Sequence, residues 1–213
     1  MGLEDRISSV HLDILKEIGN IGAAHAATSL SILLHRKIDM NVPKVSIESF
    51  SEMMEMAGGS ENVVASVLLR IEGDASGYMF FVLSIQQCER FIRQMTGDTH
   101  FSFDRTPISE LGISAFQELG NILAGSYLTA LSDFTHLELY PSVPQLSIDM
   151  FGAIISHGLI ELSQTSDYAI VIDTSLKDEQ AKNEQTMNGQ FFLLPNLDSF
   201  ETIFEALGVS FNE

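Results

Sequence analysis

From residue 9 to residue 36, apolar and small residues recur at helical spacing. Leu12, Leu15, Gly19, Gly22, Ala26, Leu30 and Leu33 fall on one face, and Asp13, Glu17, Asn20 and Ala24 fall roughly opposite. The pattern predicts one long helix. Pro43 then opens a short strand, Val45–Ile47, and a helical piece around Ser51–Ala57 stops at Gly58-Gly59. Two apolar runs follow, Val63–Ile71 and Tyr78–Leu83, separated by Glu72-Gly-Asp-Ala-Ser-Gly77. Runs of strand length around such turn chemistry predict a hairpin. A helix over 86–96 ends at Gly97.

The second half predicts the same order. A helix spans about 109–135, a strand 145–149 and a helix 151–163. Strands come near 168–176 and 190–194, and a last helix covers 198–207 before Gly208. The early elements match at a shift of 101 residues and the late ones at 111, as Phe80-Phe-Val-Leu83 against Phe191-Phe-Leu-Leu194. The growing shift places one insertion in the helix after Asp149 and another in the polar loop Lys177–Gly189. Two copies of a unit this long exclude a solenoid. The expectation is one α+β domain with a pseudo-twofold internal duplication, in repeats of about 9–97 and 110–208 joined near Thr99–Thr106. Each repeat should give a long helix packed on a small antiparallel sheet, and a C-terminal helix.

Within the long helices the repeat sharpens into a motif. Asp13-x3-Glu17-x2-Asn20 returns as Ser114-x3-Glu118-x2-Asn121, and each copy runs twenty-two residues further to a proline, Pro43 and Pro144. Residues three and four apart share a helix face, so each copy is a polar ridge. Gly19 and Gly120 precede the asparagines, and Ala23, Ala24, Ala124 and Gly125 follow them. A helical glycine costs about 1 kcal/mol against alanine. Its recurrence suggests that a second surface comes close and leaves the amide as the tallest feature. A Glu and an Asn on an exposed helix are ordinarily just solvated, and a duplicated scaffold could use them to fix a helix pair. The doubled spacing weighs against both readings.

The ridge has no nucleophile in the usual setting. Ser114 has no nearby His in sequence, and its counterpart is Asp13. Six scattered histidines show no metal-ligand spacing, and one carboxylate with one amide is too few ligands for a cation. A carboxamide is suited to orienting water: its oxygen accepts a water proton while its NH2 donates to a phosphoryl oxygen. The Glu one turn earlier can pair with a partner's lysine. Such a ridge would complete the active site of another protein that carries an activated phosphate and its own Mg²⁺.

Composition narrows the partners. The 213 residues are 45% hydrophobic and 19% charged, which suits a globular core. Eleven basic against 29 acidic residues give a net charge of −18, which disfavours nucleic acid and anionic membrane surfaces. No stretch reaches the roughly 20 apolar residues of a membrane span. Cys88 is the single cysteine, which fits a reducing, cytoplasmic setting and reads as a small buried hydrophobe. Met53, Met54 and Met56 read as packing, and Asp74 as a turn residue.

The doubled Asp/Ser-x3-Glu-x2-Asn-x22-Pro pattern resembles the CheC family of bacterial chemotaxis phosphatases (CheC/CheX/FliY). The likeness spans nearly the whole chain, and length and duplication are most similar to the CheC branch. The resemblance implies a single CheC-like domain over 1–213 that hydrolyses the aspartyl phosphate of the response regulator CheY. By motif match, Asn20 and Asn121 would orient water and Glu17 and Glu118 would pair with the regulator's lysine. Asp13 and Ser114 would support the ridges, and Pro43 and Pro144 would fix the chain after each helix. Mg²⁺ would sit on the regulator, with no metal or cofactor bound by this chain. The resemblance also implies a second partner, the receptor deamidase CheD, near Asp149 and Phe151. A non-catalytic module that mainly sequesters or regulates CheD is the alternative. One chain already supplies the twofold, so a monomer is expected.

Overall fold

The computed structural model describes residues 7–162, 168–179 and 186–208. Six helices and eight strands alternate through them: α1 Ser9–Leu34, β1 Ile38–Asn41, β2 Val45–Ser49, α2 Phe50–Met56, β3 Val63–Gly73, β4 Gly77–Ser84, α3 Ile85–Thr96, α4 Glu110–Thr135, β5 Leu139–Pro141, β6 Gln145–Met150, α5 Phe151–Leu162, β7 Tyr168–Asp178, β8 Thr186–Pro195 and α6 Leu197–Ala206. No described helix is long and apolar enough to cross a membrane.

The duplication is visible in the helices. α1 and α4 are each 26 residues long. Each ends on a histidine in the left-handed region, His35 at φ 50° and His136 at φ 57°, which stops the helix at the same place in both copies. Ser109 caps α4 by accepting the Gly112 N–H at 3.3 Å. α3 stops at Gly97, whose φ of 74° suits a residue without a Cβ.

The strands form one antiparallel sheet in the order β1-β7-β8-β4-β3-β5, with β2 also on β7 and β6 also on β3. The expected pair of separate small sheets does not form. β1 and β2 pair with β7 of the second half, and β5 and β6 pair with β3 of the first. Either half alone would leave an 11-residue strand edge bare, and exchange covers both. At the centre β4 meets β8 with Phe80 opposite Phe192 and Phe81 opposite Phe191, a register that the pseudo-twofold maps onto itself.

Alternation along β4 sorts its side chains between two layers. Met79, Phe81 and Leu83 face the core beneath α1, α3, α4 and α6, while Phe80 and Val82 face the core beneath α2 and α5. Burial on both faces explains the unbroken apolar run in the sequence. Cys88 and Met53 are buried core residues, as expected, and Asp74, in the turn between β3 and β4, accepts the N–H of Glu138 just before β5 at 2.8 Å. Three local expectations change. Leu33 is exposed and Leu12 half-buried, both near the ends of α1, while Ile18, Ala23 and Ala27 join the buried face at its middle. β1 and β5 were too short for a period to register. Lys177, Asp178 and Thr186–Gly189 lie in strands rather than in a loop, and buried Asp178 takes an ion pair from Arg36 at 3.1 Å.

Candidate functional site

The ridges are placed by what lies beneath them. α1 buries Leu15, Ile18, Gly19, Gly22, Ala23 and Ala26, and α4 buries Phe116, Leu119, Gly120, Leu123 and Ala124. Asp13, Glu17, Ser114, Glu118 and Asn121 are thereby left on the solvent side of the helix layer, with Asn20 half-buried. The helical glycines serve this packing rather than the approach of a second protein. A Cβ on Gly22 would stand 2.9 Å from the Tyr127 Cα, and one on Gly120 would stand 2.5 Å from Val67 Cγ1 of β3. The low ground after each asparagine is instead exposed Ala24 and half-buried Gly125, and a Cβ on Gly125 would meet nothing within 4 Å.

The two amides differ. Asn20 Nδ2 donates to the Lys16 carbonyl at 3.0 Å, and its Oδ1 accepts the Val42 N–H at 2.9 Å. Val42 is buried, with Cγ2 only 3.2 Å from where a Gly19 Cβ would be. Asn121 is exposed and its side chain makes no hydrogen bond among the described residues. Val143, at the position matching Val42, is 84% exposed. The neighbouring Ser142 is tied to β3 instead: its N–H donates to the Arg70 carbonyl at 2.8 Å and its hydroxyl accepts the Arg70 N–H at 2.9 Å. Hydrophobic pattern alone does not single out Val42 and Val143, although each directly precedes its motif proline.

Glu17 and Glu118 are exposed and make no ion pair among the described residues, so each is available to a cation from outside. No cluster of three or more His, Cys, Asp or Glu among the described residues could hold a metal ion. Burial pushes the Cys88 thiol well above its usual range, which removes it as a nucleophile. A cavity of about 670 Å³ opens beside Pro43, lined by Asn62, Gln87, Asp173, Asn188 and Gln190, and no ridge residue lines it. Pro43 is exposed and Pro144 half-buried.

Around Asp149 the two named residues separate. Asp149 is exposed and its Oδ1 accepts the Met150 N–H at 2.7 Å. Phe151 is buried against Phe192, ring centroids 5.4 Å apart, because it opens the inward stripe of α5 with Ile154 and Ile155. The surface here is therefore Asp149 and Met150. The side chains of Leu159 and Leu162 lie outside the described residues.

With the ridges placed, likeness to known proteins can be set beside them. Residues 10–47 and 111–148 match the CheC-like family, which are the two motif segments. The chain is 50% identical over 210 residues to the Bacillus subtilis CheY-P phosphatase CheC, covering 99% of this chain and 100% of the relative. In structure it is similar to Thermotoga maritima FliY, with a TM-score of 0.74 at 21% identity over 95% of this chain and 98% of that one. A CheX from Borrelia burgdorferi, crystallised with CheY, BeF3 and Mg²⁺, matches with a TM-score of 0.50 at 16% identity over 82% of this chain and 96% of that one. These two likenesses are of fold.

Proposed function

The chain belongs to the CheC-like family, and from that premise we propose that it dephosphorylates CheY, with Glu17–Asn20 and Glu118–Asn121 as its working pairs. The observation that carries this reading is the second ridge. Glu118 and Asn121 stand one turn apart, both exposed and both free of partners among the described residues. A side chain held ready for another protein's active site should look like this.

The chemistry follows from the donor set. Glu118 pairs with a lysine beside the regulator's aspartyl phosphate and sets the depth of insertion. The Asn121 Oδ1 accepts a proton of the attacking water, and its Nδ2 donates to a phosphoryl oxygen. The water oxygen forms the new P–O bond, the P–O bond to the aspartyl carboxylate breaks, and the water protons leave with phosphate. Mg²⁺ belongs to the regulator. This chain supplies no base, so its contribution is positioning, about 10²-fold in rate or ~3 kcal/mol. Ser114 and Asp13 flank the pairs one turn earlier. The test is phospho-CheY decay in Mg²⁺ with and without purified protein. Faster decay supports the reading, and an unchanged rate overturns it.

A second surface is proposed at Asp149 and Met150, both exposed at the end of β6, as the contact for CheD. If the chain were mainly a CheD-binding module, capture of CheY would not respond to a phosphoryl analogue. Pull-downs of each partner with and without the analogue separate the readings.

A further inference from the structure

We infer that the two ridges are unequal: the Glu118–Asn121 ridge is open, while the Glu17–Asn20 ridge is latched by the backbone N–H of Val42, so that Asn121 carries most of the turnover. The inference rests on the phosphatase reading above and goes beyond it by assigning a positioning role to Val42.

The latch is a set of contacts made in one copy only. Asn20 has both ends of its amide engaged, Oδ1 to Val42 N–H at 2.9 Å and Nδ2 to the Lys16 carbonyl at 3.0 Å. The Val42 side chain fills the hollow over Gly19 and is 3% exposed, which holds the N–H in place. In the second copy the hollow over Gly120 is filled by Val67 of β3. No room is left there for Val143, which stands 84% exposed. Ser142, bonded both ways to Arg70, keeps that stretch of chain on the sheet edge and off Asn121.

A water-positioning amide must present its oxygen and NH2 in one chosen plane. Asn121 can turn to meet water and phosphoryl oxygen. Asn20 must first give up two hydrogen bonds, which on ordinary net values slows it by about tenfold or more.

The experiment compares phospho-CheY decay for N20A, N121A, the double variant, and Val42→Pro in the N121A background. Val42→Pro deletes the latch donor, and the extended strand residue before it tolerates a following proline. The expected result is that N121A loses at least about tenfold more rate than N20A, and that Val42→Pro restores several-fold of the residual activity. Amide exchange on the wild-type chain gives a reading independent of activity and of how Val42→Pro folds: Val42 exchanges more slowly than Val143. Equal losses in the single variants, a larger loss in N20A, no gain from Val42→Pro in a folded chain, or equal exchange at the two valines overturns the latch. Full activity in the double variant instead overturns the phosphatase reading of the ridges.

Discussion

A Cβ on Gly22 would stand 2.9 Å from the Cα of Tyr127 and 3.1 Å from the Ser126 carbonyl oxygen, so α1 and α4 cross there with nothing between their backbones. Both ridges take their height from this crossing. Gly22→Ala must push the helices apart, because the obstacle is backbone rather than a movable side chain. It should destabilise by about 1–3 kcal/mol. For a chain of this size that is a fall in Tm of roughly 2–10 °C, checked by thermal unfolding.

Gly125 gives the opposite expectation on the same helix pair. A Cβ there meets nothing within 4 Å, and the matching position in the first copy is Ala24. Gly125→Ala should gain up to ~1 kcal/mol from helix propensity. Denaturant unfolding of the two glycine variants side by side tests whether packing, rather than propensity, decides each sign.

Stability should also fall on mild acidification, through His11. Its ring is buried edge-on against Phe204, centroids 4.9 Å apart, and Nδ1 accepts the Ser8 N–H at 2.8 Å where α1 begins. Burial holds the imidazole below its ordinary value of 6.5. The unfolded chain therefore binds a proton first as pH drops. The contribution is complete above about 6.5, shrinks as pH falls below that, and is gone once pH has passed the lowered native value. Denaturant midpoints from pH 8 to pH 5 should drop further for the wild type than for His11→Gln.

The sequence carried the element order and both motifs because they are local and periodic: 26-residue amphipathic helices, a Gly-bounded hairpin, and a doubled Glu-x2-Asn. It did not carry the strand exchange. β2 pairs with β7 and β6 with β3 at separations over which periodicity says nothing, and β1 and β5 are too short to show a period. The glycines beside the asparagines signal close packing, but sequence does not show what fills the space. Val42 does so in one copy and Val67 in the other, and only the fold distinguishes them. The family resemblance puts Phe151 with Asp149 at a partner surface, yet the first residue of an inward stripe is drawn into the core.

Loss of phosphate from phospho-CheY in Mg²⁺, with the wild type and with N20A/N121A, tests the central claim most directly. Asn121 makes no side-chain hydrogen bond among the described residues, whereas Asn20 accepts the Val42 N–H, so the double variant should stay folded with a thermal midpoint lowered by only a few degrees. The account predicts that the double variant leaves CheY decaying at its own unassisted rate. A folded double variant that still accelerates decay as the wild type does would contradict it.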